Sequence, residues 1–87
     1  DVRLGGEEFA VFIVDRDKKV AQIIAERIRL NVQNSTFGEE PEGIKITISG
    51  GVTSRKKGES LDSFMDRGDK ALYESKEKGR NRITVSY

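Results

Sequence analysis

A mixed fold, α/β or α+β in class, is predicted for this 87-residue chain by three observations. Phe9 to Val14 (FAVFIV) is an unbroken apolar run rich in β-branched and aromatic side chains. Two later stretches carry apolar residues at helical spacing, and between them Ile44, Ile46, Ile48 and Val52 alternate with Lys45, Thr47 and Ser49. The order is strand, helix, strand, helix, strand, with no internal repeat or linker.

The elements follow in order. The Phe9–Val14 run reads as a strand buried on both faces. Asp15 and Asp17 then offer N-cap oxygens, and Val20, Ile24, Ile28 and Val32, with Ile23 beside them, give a helix from about Lys18 to Asn31. Gln33 to Gly43 is polar and holds the only proline, so it reads as loop. The alternating stretch that follows is a strand, interrupted by Gly50-Gly51 near its end. After a second loop (SRKKGE), Ser60 caps an amphipathic helix marked by Leu61, Phe64, Met65, Gly68 and Leu72, which stops near Gly79. Ile83, Val85 and Tyr87 alternate in a short last strand.

Composition narrows the chemistry. Charged residues make up 36% and hydrophobic ones 34%, with a formal net charge of +1, so overall charge does not point to a polyanion partner. Without Cys there are no disulfides or thiolate metal sites, and without His the commonest acid–base and zinc-binding side chain is missing. Catalysis would have to use carboxylates, Lys, Arg, Tyr or a metal held by oxygen ligands. No apolar stretch approaches the ~20 residues that span a bilayer. The chain starts at Asp1 rather than Met and is expected to be trimmed.

Two clusters could carry function. Gly5-Gly6-Glu7-Glu8-Phe9 taken alone reads first as a tight hairpin turn, and it also fits a site where glycines let backbone amides approach phosphates while a carboxylate holds Mg²⁺. It is not a Walker A loop. Asp69 to Arg82 (DKALYESKEKGRNR) taken alone reads first as a solvated cationic helix end, and it also fits Lys76 and Arg80 converging on phosphate oxygens.

Taken together, G-G-E-E-F, A-E-R-I-R at Ala25 to Arg29, S-G-G-V at Ser49 to Val52, and D-x-A-L-Y-x-x-K-x-x-G-R-N from Asp69 to Asn81 resemble the GGDEF domain of bacterial diguanylate cyclases, in its Glu variant. The order and spacing fit over essentially the whole chain. The resemblance implies an α+β, ferredoxin-like, palm-like fold with an antiparallel sheet flanked by helices. It implies an enzyme that condenses two GTP into cyclic di-GMP and two pyrophosphates with Mg²⁺ or Mn²⁺, across a homodimer. Each 3′-hydroxyl attacks the α-phosphate of the other GTP. Glu7 would be a metal ligand and the base toward the 3′-hydroxyl. Glu8 is the neighbouring signature acid, grouped with the substrate-binding residues. Gly5 and Gly6 would open the turn to the phosphates, and Lys76 and Arg80 would contact the triphosphate. Arg27 matches an arginine of the inhibitory product site in some members, and a solvated helix arginine fits equally well. Asp1 stands two residues before Arg3, not the four that the rest of that inhibitory motif requires.

The resemblance further implies that residues 1–87 form the C-terminal half of the domain. The first core strand, with its metal-binding Asp, the guanine-reading residues and the first hairpin strand would all lie upstream. That core strand would sit between the Phe9–Val14 and Ile44–Val52 strands, so the chain alone is expected neither to fold natively as a monomer nor to be active. A cytoplasmic protein is implied, with membrane anchoring through an upstream region left open, and no nucleic-acid partner. Two other readings remain: a non-catalytic relative binding GTP or cyclic di-GMP, and an RNA-binding module. The second lacks the K/R-G-F/Y motif of an RRM.

Overall fold

Six elements follow one another in the computed structural model, which describes residues 2–5, 8–15, 17–39 and 43–87. They are β1 (Val2–Gly5), β2 (Glu8–Val14), α1 (Lys18–Gln33), β3 (Thr47–Thr53), α2 (Leu61–Glu77) and β4 (Ile83–Val85). The strands form one sheet in the order β1-β2-β3-β4.

The sheet is mixed, which corrects the antiparallel expectation. Only β1 and β2 run antiparallel, while β2 with β3 and β3 with β4 are parallel. The reason lies in the connections: a helix joins each of the last two pairs, and a helical crossover returns the chain to the same edge in the same direction. Nor is there a gap between β2 and β3. They pair along their full length, from Glu8↔Thr47 to Val14↔Thr53, so the backbone groups expected to lack partners satisfy one another. Ahead of them, Val2 to Gly5 supplies a partner strand for β2, from Val2↔Val11 to Gly5↔Glu8.

Strand β3 is the centre of the molecule and is buried from Ile48 onward. Its alternate residues face two layers. On one side Val52 packs against Ala21 and Ala25 of α1, with Ile13, Ile83, Val85 and Tyr87 around them. On the other, Gly51 faces α2. A Cβ on Gly51 would sit 2.6 Å from the Leu72 amide nitrogen and 2.7 Å from the Gly68 carbonyl oxygen. Gly51 therefore marks the place where helix backbone lies against strand backbone, while a Cβ on Gly50 would meet the Ile83 side chain and the Val11 carbonyl oxygen of the neighbouring strands. Gly68 completes the fit from the helix side, since a Cβ there would overlap the Phe12 ring.

Both helices begin as the sequence indicates. The Asp17 carboxylate accepts from the amides of Lys19 and Val20, at 3.1 and 3.2 Å, and the Ser60 hydroxyl accepts from Ser63 at 3.1 Å. Their buried faces differ from the expected stripes. Val20, Ile24 and Ile28 are exposed at 37–43%, and α1 instead turns Ala21 and Ala25 inward. Small side chains let that helix approach the sheet closely, which turns the branched stripe outward. On α2 the inward face is Phe64, Gly68, Ala71 and Ser75, while Leu61 is 59% exposed. Tyr87 fastens the start of α1, donating its hydroxyl to the Lys18 carbonyl at 2.9 Å with the Lys18 ammonium 4.7 Å from its ring centroid.

Candidate functional site

Because β2 and β3 run parallel, the β1–β2 hairpin end lies beside the start of β3, at Glu8↔Thr47. Helix α2 leaves the far end of β3 and returns antiparallel to it. Its contacts track this path: Gly68 and Ala71 lie over Gly51, Ser75 donates to the Gly50 carbonyl at 2.8 Å, and the Asn81 amide donates to the Ser49 hydroxyl at 3.2 Å. The C-terminal end of α2 therefore comes to the same end of the sheet as the hairpin. So does the end of α1, for the same topological reason.

Two of the sequence-predicted residues, Gly6 and Glu7, lie outside the described residues. Gly5 ends β1 and Glu8 opens β2. Lys76 is half-buried in the last turn of α2, and Arg80 follows just beyond it, exposed. The partial negative charge at a helix C-terminus repels anions, so cations there are what would let a phosphate approach. Arg27 stands elsewhere. It is exposed on α1, on the side away from Ala21 and Ala25, in a shallow groove with Ile23, Leu30 and Asn31.

The turn carrying Arg80 has unusual geometry. Lys78 ends α2, and Gly79 follows at φ +114°. The Arg80 amide donates to the Ser75 carbonyl at 2.9 Å and the Gly79 amide to the Lys76 carbonyl at 3.4 Å, the paired bonds of a Schellman cap. The left-handed conformation then continues through Arg80, φ 63°, and Asn81, φ 46°. For a side chain like arginine that conformation costs roughly 1–2 kcal/mol, so something must hold it.

A polar network does so. Asn81 Nδ2 donates to Gln33 Oε1 at 2.6 Å, and Asn81 Oδ1 accepts from Arg29 Nη1 at 2.9 Å. Arg29 Nη1 also lies 3.4 Å from the Asn81 carbonyl oxygen and 3.2 Å from Gln33 Oε1. The other edge of the guanidinium grips Glu26 through two bonds, of 2.6 and 2.7 Å. That fork lowers the Glu26 pKa and raises that of Arg29, mainly through the hydrogen bonds themselves. In the sequence Glu26 and Arg29 stand inside A-E-R-I-R and Asn81 inside G-R-N, none of them with an expected role, and Gln33, expected to open the loop after the helix, is instead the last residue of α1. The available signal was Asn after Gly-Arg, the non-glycine residue best suited to a left-handed position.

Among the described residues no three Asp, Glu, His or Cys side chains gather into a group able to hold a metal. None of the helices described is long and apolar enough to cross a membrane.

Known proteins bear on this arrangement. The family described as diguanylate cyclase, GGDEF domain, matches residues 2–82. Diguanylate cyclase A of Treponema denticola is 46% identical over 85 residues, covering 97% of this chain and 23% of that protein. The probable diguanylate cyclase DgcT of Escherichia coli is 44% identical over 87 residues, covering 95% of this chain and 19% of its own length. The chain thus spans about a fifth to a quarter of these relatives. The crystal structure of the coiled coil and GGDEF domain of DgcB from Caulobacter crescentus, in complex with c-di-GMP, superposes with a TM-score of 0.70 at 37% identity, covering 82% of this chain and 39% of that one. The chain belongs to the GGDEF domain family of diguanylate cyclases.

Proposed function

We propose that the full-length protein is a diguanylate cyclase, joining two GTP molecules into cyclic di-GMP across a homodimer of GGDEF domains in the cytoplasm, with residues 1–87 forming the C-terminal part of each domain. The observation that carries this reading is the family match over residues 2–82 together with an intact G-G-E-E-F signature.

In this reading Lys76 and Arg80 bind the triphosphate and stabilise the charge that builds on pyrophosphate as it leaves. Gly5 and Gly6 leave room for phosphate against the backbone, and Glu8 borders the substrate. Glu7 takes the proton from the 3′-hydroxyl, whose oxygen then bonds to the α-phosphorus of the facing GTP while the bond to pyrophosphate breaks. The signature offers only carboxylate oxygens, a donor chemistry that suits Mg²⁺ or Mn²⁺. Glu7 would hold such an ion, which lowers the pKa of the attacking hydroxyl when bound. Arg27, exposed on α1, is assigned to contact product at an inhibitory site.

A second reading, a non-catalytic domain that binds GTP or cyclic di-GMP, has one observation in its favour: the DgcB structure is a complex with cyclic di-GMP. One experiment separates the two. The full-length protein is incubated with GTP and Mg²⁺ beside its Glu7→Gln variant, and cyclic di-GMP is quantified. Product that disappears in the variant supports the cyclase. A well-folded dimer that makes none, yet binds cyclic di-GMP, overturns it in favour of the non-catalytic domain.

A further inference from the structure

We propose that Arg29 is a positioning residue for Arg80, holding the left-handed Gly79-Arg80-Asn81 turn in the geometry that aims the Arg80 guanidinium at substrate phosphate. This rests on the reading of Arg80 as a triphosphate contact.

The direction in which a side chain leaves the backbone, from which its own rotamers then extend it, is set by the backbone torsions, and the φ of Arg80 lies in a region that arginine avoids unless neighbours impose it. On its N-terminal side the Schellman cap fixes the Arg80 amide on Ser75. On its C-terminal side the fixing is done through Asn81, which is tied at its amide to Ser49, at Nδ2 to Gln33 and at Oδ1 to Arg29. Arg29 is the hub of this clamp. It reaches Asn81 across 52 residues of sequence, its side chain is only 14% exposed, and its Nε and Nη2 each donate to Glu26. A planar fork locked on one edge presents its other edge in a fixed direction, which a lysine cannot do. Helix α1 thereby braces a turn at the end of α2.

The test is a double-mutant cycle in the full-length protein with Arg29→Ala, Arg80→Ala and the pair. It reads KM and kcat for GTP together with GTP affinity by calorimetry. Misdirecting a phosphate-binding guanidinium without removing it should lower kcat/KM on the order of tenfold, with weaker GTP binding. In the Arg80→Ala background the same Arg29 substitution should change both readouts by less than about twofold, because the residue it serves is already gone. Arg29→Lys should restore little. If Arg29→Ala instead lowers kcat/KM by the same factor in both backgrounds, it acts on general stability and the proposal fails. If Arg80→Ala leaves GTP binding and turnover unchanged, the reading of Arg80 falls, and the proposal with it. Should Arg29→Ala not fold, Gln33→Ala carries the cycle: it removes the acceptor shared by Arg29 and Asn81 while sparing the Glu26 fork.

Discussion

Replacing Gly51 by alanine tests the packing that brings α2 to the functional end of the sheet. The new Cβ would lie 2.6 Å from the Leu72 nitrogen, 2.7 Å from the Gly68 carbonyl oxygen and 2.9 Å from the Ala71 Cβ. Two of these neighbours are backbone, so no side-chain rotation relieves the clash. Reaching ordinary carbon contact near 3.5 Å would need α2 to retreat from β3 by somewhat under ~1 Å. Overpacking of this kind costs about 1–3 kcal/mol. The retreat also stretches the 2.8 Å bond from the Ser75 hydroxyl to the Gly50 carbonyl, worth about 1 kcal/mol. Against this, alanine is favoured over glycine within a strand by about 0.5–1 kcal/mol. The net expectation is a loss of about 2 kcal/mol.

The assay is urea unfolding of the full-length protein, followed through hydrogen exchange of the β3 and α2 amides so that the transition belongs to this domain. Gly58→Ala serves as the comparison. Gly58 has φ +76° with nothing within 4 Å, so alanine there meets only backbone strain, about 1 kcal/mol. A Gly51→Ala variant no less stable than Gly58→Ala would refute the close approach of α2 to β3. A lowered kcat/KM in the same variant would show that the Arg80 turn moves with the helix that carries it.

Two further outcomes are expected. Arg67 donates to both Glu59 oxygens, to Thr53 Oγ1 at 2.8 Å and to the Ser54 carbonyl at 2.7 Å, and this ion pair draws the Glu59 pKa from 4.5 down to about 2. A pKa depressed on folding gives stability that is present above 4.5 and lost as pH falls toward 2. Melting temperatures recorded across that window should therefore fall less steeply for Arg67→Met than for the unaltered protein, and parallel slopes would contradict the pairing. The buried Ser75 hydroxyl, placed 2.7 Å from Thr84 Oγ1 as well as on the Gly50 carbonyl, should cost about 1–2 kcal/mol when replaced by alanine. In urea unfolding, a Ser75→Ala loss that persists at full size in a Thr84→Val background would show that the two hydroxyls are not coupled.

Local signals in the sequence carried the elements well, because each rests on short-range physics. The apolar run after Glu8, the Asp17 and Ser60 caps and Gly79 beyond α2 stand where their chemistry requires. Strand direction was harder to read, since it depends on which crossover joins which pair, and a resemblance to an antiparallel architecture suggested the wrong answer for β2, β3 and β4. The buried face of α1 was misread for a related reason. Val20, Ile24 and Ile28 recur at helical spacing, yet Ala21 and Ala25 recur beside them, and hydropathy gives weight to size. Close packing against a central strand gives weight to smallness instead, as Gly51 and Gly68 do on the opposite face.

The candidate site divides along the same line. Lys76 could be placed from sequence, because a cation in the last turn of a helix needs only the helix. The orientation of Arg80 could not, since nothing in Gly-Arg-Asn dictates that three successive residues turn left-handed. That conformation is imposed by partners at 29, 33 and 49, drawn from a different helix and from the central strand. The same dependence explains why the third residue of the turn is asparagine. Aspartate would keep the acceptor for Arg29 but lose the donor to Gln33, and glycine would keep the backbone freedom but lose both. A residue that must be left-handed, donate from one side-chain atom and accept at the other leaves little choice. The turn is therefore specified by its surroundings in three dimensions, and its sequence records the result rather than the cause.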